Sequence, residues 1–270
     1  MTHKIILLRK LQAITVPVYD LDGKRVGDVT LPPVFSFPVR KDLIRRAFHS
    51  AMTARLQPKG RDPLAGKRRV GESWGINHSV ARVPRLDNGR AVFAPMTRGG
   101  RLTHPPRVEK VLHEEVNKKE RIRAIASALA ATAAPEIVRD RGHRFTCEKL
   151  PVIVSDEFED IGRTGQGKEI LKKLCVWEDI LRAYEGRRIR AGKGKMRGRK
   201  YITPKSVLIV VSEGDAKVVK ALRNLPGVDV ISTDLLSVLH LAPGGVPGRL
   251  TIYTMKALSQ IENRFEVITP

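Results

Sequence analysis

The segment Val207-Leu-Ile-Val-Val211 is an unbroken run of five apolar residues. A strand with one face in water alternates apolar and polar residues, whereas a strand covered on both faces is apolar throughout. The run therefore predicts a buried strand of a parallel sheet, and segments on either side of it are needed to cover both faces.

Strand and helix patterns alternate outward from this run. Strands are predicted at residues 14–18, 26–31, 152–154, 228–231 and 250–253, and helices at residues 169–184, 215–222, 234–240 and after a capping Thr254. The turn signal at residues 20–23 joins the first two strands. This alternation predicts an α/β fold with a Rossmann-like, mostly parallel sheet and helices on both faces.

Two amphipathic helices are predicted earlier in the chain, at residues 42–56 and 117–132. Asn117 followed by Glu120 predicts a capping box at the start of the second helix. The buried stripe of that helix is expected at Ile122, Ile125, Ala126 and Leu129. We expect the two helices to pack together, so that the segment between them leaves and re-enters the domain at one place.

That segment, residues 57–107, has almost no core-forming pattern, and a loop of this length in a compact domain is unusual. Its acidic residues are Asp62, Glu72 and Asp87. Fixing its backbone costs roughly 50–100 kcal/mol, so we expect it to be disordered in the free protein and to order against an acidic partner. Its basic residues are Lys59, Arg61, Lys67, Arg68, Arg69, Arg82, Arg85, Arg90, Arg98, Arg101 and Arg107. Residues 1–56 and 108–270 are expected to form a single α/β domain around this loop.

A second basic run lies between the predicted helix and strand at residues 187–200. It contains no acidic residue, and Gly192, Gly194 and Gly198 allow close backbone approach. Together with a net charge of +22 and a pI near 10.5, the run indicates a nucleic-acid binder. A solvated loop is the alternative for this run. Its basic residues are Arg187, Arg188, Arg190, Lys193, Lys195, Arg197, Arg199 and Lys200.

Known catalytic patterns are incomplete or missing from the sequence. Residues 162–168 approach a phosphate-binding GxxxxGK[ST] loop, but Glu169 stands where the Mg²⁺-binding hydroxyl belongs. We interpret the segment as a flexible connection that leads into a helix near Lys168. The seven histidines form no HxxxH or HExxH motif. We therefore expect no catalytic residue, no metal site and no cofactor.

Trp74 is an aromatic residue in the coreless loop. It either stacks on an unpaired base or anchors a local turn. The carboxylates around Asp156 are interpreted as a solvated turn rather than a metal site.

The cysteines and the hydropathy indicate the cellular compartment in which the protein is expected. Cys147 and Cys175 show no CxxC spacing, which favours reduced thiols in the cytoplasm. No run approaches the ~20 apolar residues of a membrane span. We therefore expect no membrane partner.

Several motifs resemble the L-four family of universal large-subunit ribosomal proteins, in its archaeal form. In the loop these are Gly60-Arg-Asp-Pro-Leu-Ala-Gly-Lys67-Arg68, Glu72-Ser-Trp74-Gly75, Val80-Ala-Arg82-Val-Pro-Arg85 and Gly99-Gly100-Arg101. Elsewhere they are Asn117-Lys-Lys-Glu120, Pro151-Val-Ile-Val-Ser-Asp156, Arg190-Ala-Gly-Lys-Gly-Lys-Met-Arg-Gly-Arg-Lys200, Asn224-Leu-Pro-Gly-Val-Asp-Val230 and Leu241-Ala-Pro-Gly244.

The resemblance implies a structural protein of the large subunit that binds 23S-type ribosomal RNA and supports subunit assembly. It also implies neighbouring large-subunit proteins as partners and no small-molecule substrate. The extended loop would reach the wall of the peptide exit tunnel. Its tunnel-facing tip maps to Gly75, Ile76, Asn77, His78, Arg82 and Arg85, although residues 76–79 differ from the expected glycine and arginine.

Two other functions remain open from the sequence. One is a Rossmann-like enzyme that acts on a nucleotide or on RNA, which a nucleotide-induced thermal shift would reveal. The other is a free RNA-binding regulator, which would not sediment with large ribosomal subunits.

Overall fold

The computed structural model describes residues 3–6 and 12–268. The chain divides into two compact units. The α/β unit comprises residues 1–52 and 115–270, and the loop unit comprises residues 53–114.

The described residues form the following strands and helices. The strands are β1 His3–Ile6, β2 Thr15–Tyr19, β3 Arg25–Thr30, β4 Val152–Val154, β5 Arg188–Ile189, β6 Tyr201–Ile202, β7 Leu208–Val211, β8 Asp229–Ser232, β9 Thr251–Thr254 and β10 Phe265–Ile268. The helices are α1 Lys41–Thr53, α2 Lys118–Thr132, α3 Pro135–Asp140, α4 Thr164–Lys173, α5 Trp177–Glu185, α6 Lys217–Leu222, α7 Val238–Leu241 and α8 Met255–Arg264. Single turns of 3-10 helix lie at Pro33–Ser36, Asp156–Asp160, Lys193–Met196 and Pro243–Gly245.

The main sheet has six strands in the order β3-β2-β4-β9-β7-β8. All neighbouring pairs are parallel except β2 with β3, which form an antiparallel hairpin at one edge. The run that opened the sequence analysis forms β7, and all four of its residues are fully buried between β9 and β8. A mixed α/β fold with a mostly parallel sheet is thereby confirmed.

Two hydrophobic cores cover opposite faces of the sheet, because successive side chains of a strand point to opposite sides. Leu208 and Val210 of β7 belong to the core that contains residues of α1, α2 and α8. Ile209 and Val211 belong to the core that contains residues of α4, α5 and α6. Each fully buried aliphatic side chain contributes about 1.5–3 kcal/mol, so the apolar run stabilises both layers.

The prediction of a single helix at residues 169–184 is wrong. The chain forms two helices, α4 and α5, separated at Cys175, whose φ is +59°. The amides of Cys175 and Val176 bond to the carbonyls of Lys172 (3.1 Å) and Leu171 (3.3 Å), which is the Schellman pattern that ends a helix. Glycine usually occupies this left-handed position, so a cysteine there gives no signal in the sequence that the helix ends.

Helix α2 has the predicted position and buries the predicted stripe, with Ile122 only partly buried, but it lacks the predicted cap. The side chain of Asn117 makes no capping hydrogen bond, so the predicted capping box is not formed. Residues 124–132 are buried on every side of the helix. Small side chains, mostly alanine, let neighbouring segments approach all around it, so the amphipathic pattern extends only over its first turn.

Several elements were missed or misplaced by periodicity because they are short. Strands β1 and β10 form a separate parallel pair. Helix α3 is only about one and a half turns long. The helix expected at residues 234–240 is only the four-residue α7. The connection expected at residues 162–168 instead enters α4 at Thr164.

Candidate nucleic-acid interface

The loop unit folds back on itself, with its outgoing and returning halves in contact at several levels. At the base, the amide of Glu114 donates to Oγ1 of Thr53 at 3.1 Å. Further out, the amide of Arg61 donates to the carbonyl of Pro106 at 3.2 Å. The two ends of the loop unit therefore lie next to each other.

Glycines allow the two halves to come together. A Cβ built on Gly60 would lie 2.5 Å from Cγ1 of Val108, and one built on Gly66 would overlap the carbonyl of Gly100. Gly66 also has a φ of +76°, which L-residues with a side chain rarely adopt. Glycine at these two positions therefore allows the loop to double back on itself.

The outer part of the loop unit is held by backbone pairing around Arg85. Arg85 and Glu72 exchange two amide–carbonyl hydrogen bonds of 2.9 and 3.1 Å, and Arg85 also bridges to Ala91. Val92, only 4% exposed, lies beside this pairing. Five large apolar side chains of the loop are exposed: Leu64, Val70, Ile76, Phe93 and Met96. The loop thus buries little apolar surface of its own.

The guanidinium of Arg85 is engaged within the loop. It donates to the carbonyls of Gly89 (2.9 Å) and Ala81 (3.3 Å), and it lies 6.0 Å from the centroid of the Trp74 ring. Its Nε is buried without a partner among the described residues. Arg85 therefore stabilises the backbone of the tip. Its predicted contact with RNA stays a prediction.

Trp74 packs within the loop and is also partly exposed. It contacts Arg85, and its ring centroid lies 6.1 Å from that of His78. At the same time 42% of the residue is exposed. Between Trp74 and Arg82 the backbone takes positive φ angles at Gly75, Asn77 and Ser79, and the whole predicted tip up to Arg82 is exposed. Trp74 therefore lies beside an exposed stretch of backbone, and its stacking on an unpaired base stays a prediction.

The predicted basic residues of the loop are mostly directed to solvent. Arg68 is paired with Asp62 at 2.5 Å, and Arg101 lies 5.4 Å from the Phe93 ring and is half-buried. Arg55 and Lys110 are further exposed cations of the loop unit. Arg55 was missed because α1 ends at Thr53, earlier than its periodicity indicated, and Lys110 because the loop unit extends to Glu114, beyond the predicted boundary at residue 107. The exposed cations that we predicted are Lys59, Arg61, Lys67, Arg68, Arg69, Arg82, Arg90, Arg98 and Arg107.

The second basic run is a hairpin in the α/β unit, formed by β5, β6 and the 3-10 turn between them, rather than an irregular loop. Ile189 pairs with Tyr201, and the amide of Arg190 donates to the carbonyl of Lys200 at 2.8 Å. Nε of Arg190 donates to the carbonyl of Arg199 at 3.0 Å. Gly192 and Gly198 have φ angles of +76° and +74°. We call residues 187–202 the basic hairpin.

Seven of its eight basic side chains are exposed, and Arg190 is half-buried. The Arg187 guanidinium lies 4.1 Å from the Tyr201 ring centroid, and the Lys200 amine lies 5.4 Å from it. The exposed cations are Arg187, Arg188, Lys193, Lys195, Arg197, Arg199 and Lys200. Because no carboxylate occurs in this segment, the hairpin presents a uniformly cationic surface suited to phosphates.

The carboxylates around Asp156 have structural roles instead of the solvated-turn role that we expected. Glu159 accepts hydrogen bonds from the amide of Ser212 (2.8 Å) and from the hydroxyl of Thr254 (2.6 Å), and Asp156 accepts one from the amide of Lys256 (2.8 Å). Among the described residues no cluster of His, Cys, Asp and Glu could hold a metal ion.

The Gly162–Lys168 segment is not a phosphate loop. Gly165 and Gly167 lie inside α4, and a Cβ on Gly167 would overlap the side chain of Leu222 on α6. That glycine therefore serves close helix packing. Over the described part of the chain, every helix is too short or too polar to cross a bilayer.

Comparison with known proteins gives one consistent family. The model of the ribosomal protein L4/L1 family matches residues 29–264. The chain is 53% identical over 272 residues to the large ribosomal subunit protein uL4 of Aeropyrum pernix, with all of both chains covered. It is 54% identical to the proteins of the same name from Sulfolobus acidocaldarius (95% of this chain, 97% of the relative) and Methanocaldococcus jannaschii (92% and 98%).

These names are those of archaeal ribosomal proteins and not of enzymes, which confirms both the resemblance and the expectation of a non-enzymatic protein. The family match covers both units of the structure, including the loop unit and the basic hairpin. The chain belongs to the ribosomal protein L4/L1 family.

Proposed function

We propose that this protein is a structural component of the large ribosomal subunit that binds 23S-type ribosomal RNA and supports assembly of the subunit. Its partners are that RNA and neighbouring large-subunit proteins, with no membrane and no small-molecule substrate. Its place is the cytoplasm, within the large subunit. The names and the full-length similarity of its relatives support this role.

The observation that carries the proposal is the concentration of exposed positive charge on two segments. Residues 57–107 contain eleven basic and three acidic side chains, and the basic hairpin contains eight basic and no acidic ones. Each segment therefore carries a net charge of +8, and together they account for most of the protein's +22. Such segments attract phosphates and release their counterions on binding.

Residues 57–107 act in this proposal as a loop inserted in the single α/β domain of residues 1–56 and 108–270. The tip, at Gly75, Ile76, Asn77, His78, Arg82 and Arg85, reaches the wall of the peptide exit tunnel. Exposed backbone and side chains at residues 75–82 support a contact surface there. Arg85 serves the tip by fixing its backbone, since its guanidinium bonds to Ala81 and Gly89.

The remaining basic residues of the loop and the basic hairpin contact the RNA backbone, and Trp74 stacks on an unpaired base. Exposure of these side chains supports the assignment. We also retain the description of the sheet as Rossmann-like, which its five consecutive parallel strands and its two covered faces support.

Sedimentation of cell extract through a sucrose gradient tests the proposed function. Tagged full-length protein should migrate with the large subunit, and a variant with alanine at Arg197, Arg199 and Lys200 should shift toward the top of the gradient. A matched variant with Glu157→Gln should co-migrate like the unmodified chain. Protein that remains entirely at the top of the gradient while bound to RNA would identify a free regulator and overturn the proposal.

A further inference from the structure

A groove on the α/β unit borders the basic hairpin, with which it shares Arg187. It lies beside α4 and α5 and has a volume of about 480 Å³. Its lining includes Lys168, Trp177, Leu181, Tyr184, Arg187 and Asn224. The break between α4 and α5 at Cys175 places Lys168 of the first helix beside Trp177 of the second, with the amine 5.3 Å from the ring centroid.

One side of α5 is apolar, next to the charged side that carries the exposed Glu178 and Glu185. Its inner face is formed by Asp179, Ile180 and Ala183, which are buried. Trp177, Leu181 and Tyr184 follow each other at four and three positions, so they share another face of the helix. Leu181 is 42% exposed and Tyr184 is 63% exposed. An exposed apolar stripe of this kind indicates a binding surface.

The charges at the groove define what fits it. Lys168 and Arg187 lie on its rim, and none of the described residues that line it carries a carboxylate. Aromatic rings beside cations bind flat, electron-rich groups attached to a negative charge, which is the chemistry of a nucleotide. Asn224 adds an amide that can hydrogen-bond a base edge.

The groove is also continuous with the basic hairpin. Helix α5 ends at Glu185, Gly186 follows it, and Arg187 belongs both to the groove and to the hairpin. The Arg187 guanidinium lies 4.1 Å from the ring centroid of Tyr201 on β6. An RNA strand whose phosphates bind along the basic hairpin would therefore place its next base at the groove.

We propose that this groove binds one unpaired base of the ribosomal RNA, stacked on Tyr184 and Trp177, while the adjoining phosphates contact Lys168 and Arg187. The inference rests on the proposed function and adds a base-binding pocket to it. It assigns a role in RNA recognition to Lys168, Trp177, Tyr184 and Asn224, which neither cationic segment contains.

Tryptophan fluorescence tests the groove directly. The chain has two tryptophans, Trp74 and Trp177, so full-length protein with Trp74→Phe reports on Trp177. The probes are a single-stranded oligoribonucleotide of mixed sequence and an abasic strand of the same length, with binding of each measured in parallel on filters. We expect the base-bearing strand to quench Trp177 and the abasic strand to bind without quenching.

Variants in the same background separate stacking from charge. Tyr184→Ala should weaken the binding detected by quenching by roughly 5- to 150-fold, the range expected for one stacked base. Tyr184→Phe should retain it, and Leu235→Ala, which removes another exposed apolar side chain of the α/β unit, should have no effect. Equal quenching by both strands, or equal affinities of Tyr184→Ala and Leu235→Ala, would overturn the inference.

Two further outcomes distinguish this inference from the proposed function. If both strands bind on filters and Trp177 does not respond, the base pocket is wrong and RNA binding by the cationic segments stands. If neither strand binds, both proposals fail. In assembled large subunits, a photo-crosslinker at position 184 should attach to RNA; attachment to a protein would show that the groove docks a protein neighbour and would overturn the inference.

Discussion

Glu159 accepts a 2.6 Å hydrogen bond from the hydroxyl of Thr254, at the carboxyl end of β9. The same carboxylate accepts hydrogen bonds from the amide and the hydroxyl of Ser212, next to the end of β7. Ligands of open α/β sheets bind at this edge, outside the carboxyl ends of the strands. Here a side chain of the protein ties two neighbouring strands together, so the edge serves stability and repels a nucleotide phosphate.

Replacing Glu159 should therefore affect folding and leave RNA binding intact. Glu159→Ala removes three hydrogen bonds to a charged acceptor. Because one such bond contributes about 1.5–3 kcal/mol, we expect the free energy of unfolding to fall by at least that amount. Urea denaturation measures this loss, with the exposed Glu157→Gln as the control. A large loss of filter-bound RNA in folded Glu159→Ala protein would contradict a purely structural role.

The ion pair of buried Arg249 with half-buried Asp229 should be a second determinant of stability. Arg249 is fully buried, lies 2.7 Å from the Asp229 carboxylate and donates to the carbonyls of Ser206 and His240. Burial lowers the pKa of Arg249, and Asp229 opposes that effect. Arg249→Met leaves the buried carbonyls without their donor, while Asp229 keeps its 2.9 Å ion pair with Lys205, so we expect a cost of about 1–3 kcal/mol.

The control for that change is an exposed ion pair. Arg25→Met removes the partner of Asp28 on the edge strand β3, where both side chains face solvent. We expect a change of less than about 0.5 kcal/mol in the free energy of unfolding. Equal effects of the two substitutions would show that burial does not decide the contribution of Arg249.

The His143–Asp179 pair predicts a loss of stability in acid. Burial lowers the pKa of His143 in the folded state, with Arg182 and Arg141 acting in the same direction and Asp179 opposing them. His143 therefore binds a proton more readily in the unfolded chain than in the folded one. Stability falls as the pH drops below about 6.5, the pKa of histidine in the unfolded chain. The slope is at most about 1.4 kcal/mol per pH unit.

Asp179 acts in the same direction at lower pH. Burial raises its pKa, but hydrogen bonds from His143 and Arg182 outweigh it, so the folded-state pKa is below the ordinary value. Its contribution is present above the unfolded carboxyl pKa and is lost as the pH falls through the folded one. His143→Asn should flatten the slope of stability against pH just below pH 6.5 and leave the smaller contribution of His3, whose pKa burial also lowers. The exposed His104→Gln should keep the full slope, and an unchanged slope in His143→Asn would contradict the assignment.

Salt dependence should reveal the phosphate contacts of the basic hairpin. Alanine at Arg187, Arg188, Arg197, Arg199 and Lys200 should make the plot of log affinity for rRNA against log salt shallower, by at most about 4 in slope. Neutralising the two exposed carboxylates of the turn, with Glu157→Gln and Asp160→Asn, should weaken binding far less in the same filter assay. A flat salt response of the unmodified protein would remove electrostatics as the basis of binding.

Gly66 should control the path of the loop without affecting the α/β unit. Its φ of +76° and the contact with Gly100 leave no room for a Cβ. Gly75 has a φ of +83° with open space around it, so Gly75→Ala reproduces the backbone strain without the clash. Gly66→Ala should reduce entry into large subunits more than Gly75→Ala, with urea transitions of the α/β unit unchanged in both.

Hydrogen exchange addresses the order of the loop in free protein. We expect weak protection across Lys59–Arg101, because the segment buries little besides Val92 and makes few internal backbone hydrogen bonds. Binding to rRNA should then slow exchange throughout it. Strong protection in the isolated chain would show that the loop is ordered by its own contacts.

The parallel strands could be predicted from sequence because each is continuously apolar, and β7 is the clearest case. The helix break at Cys175 could not, because the motif that forms it contains no glycine at the left-handed position. The burial of α2 on all sides was also hidden. Alanine fits both a surface helix and a crowded one, and neighbours distant in sequence decide between them.

By itself, the sequence determined the α/β class, the family and the location of the cationic segments, because these depend on local periodicity, motif spacing and charge. Only the tertiary structure decided that Arg85 is held inside the loop, that Glu159 closes the edge of the sheet and that Lys168 meets Trp177 in a groove. Each of these depends on contacts between residues brought together by folding, and charge or spacing along the chain does not specify such contacts.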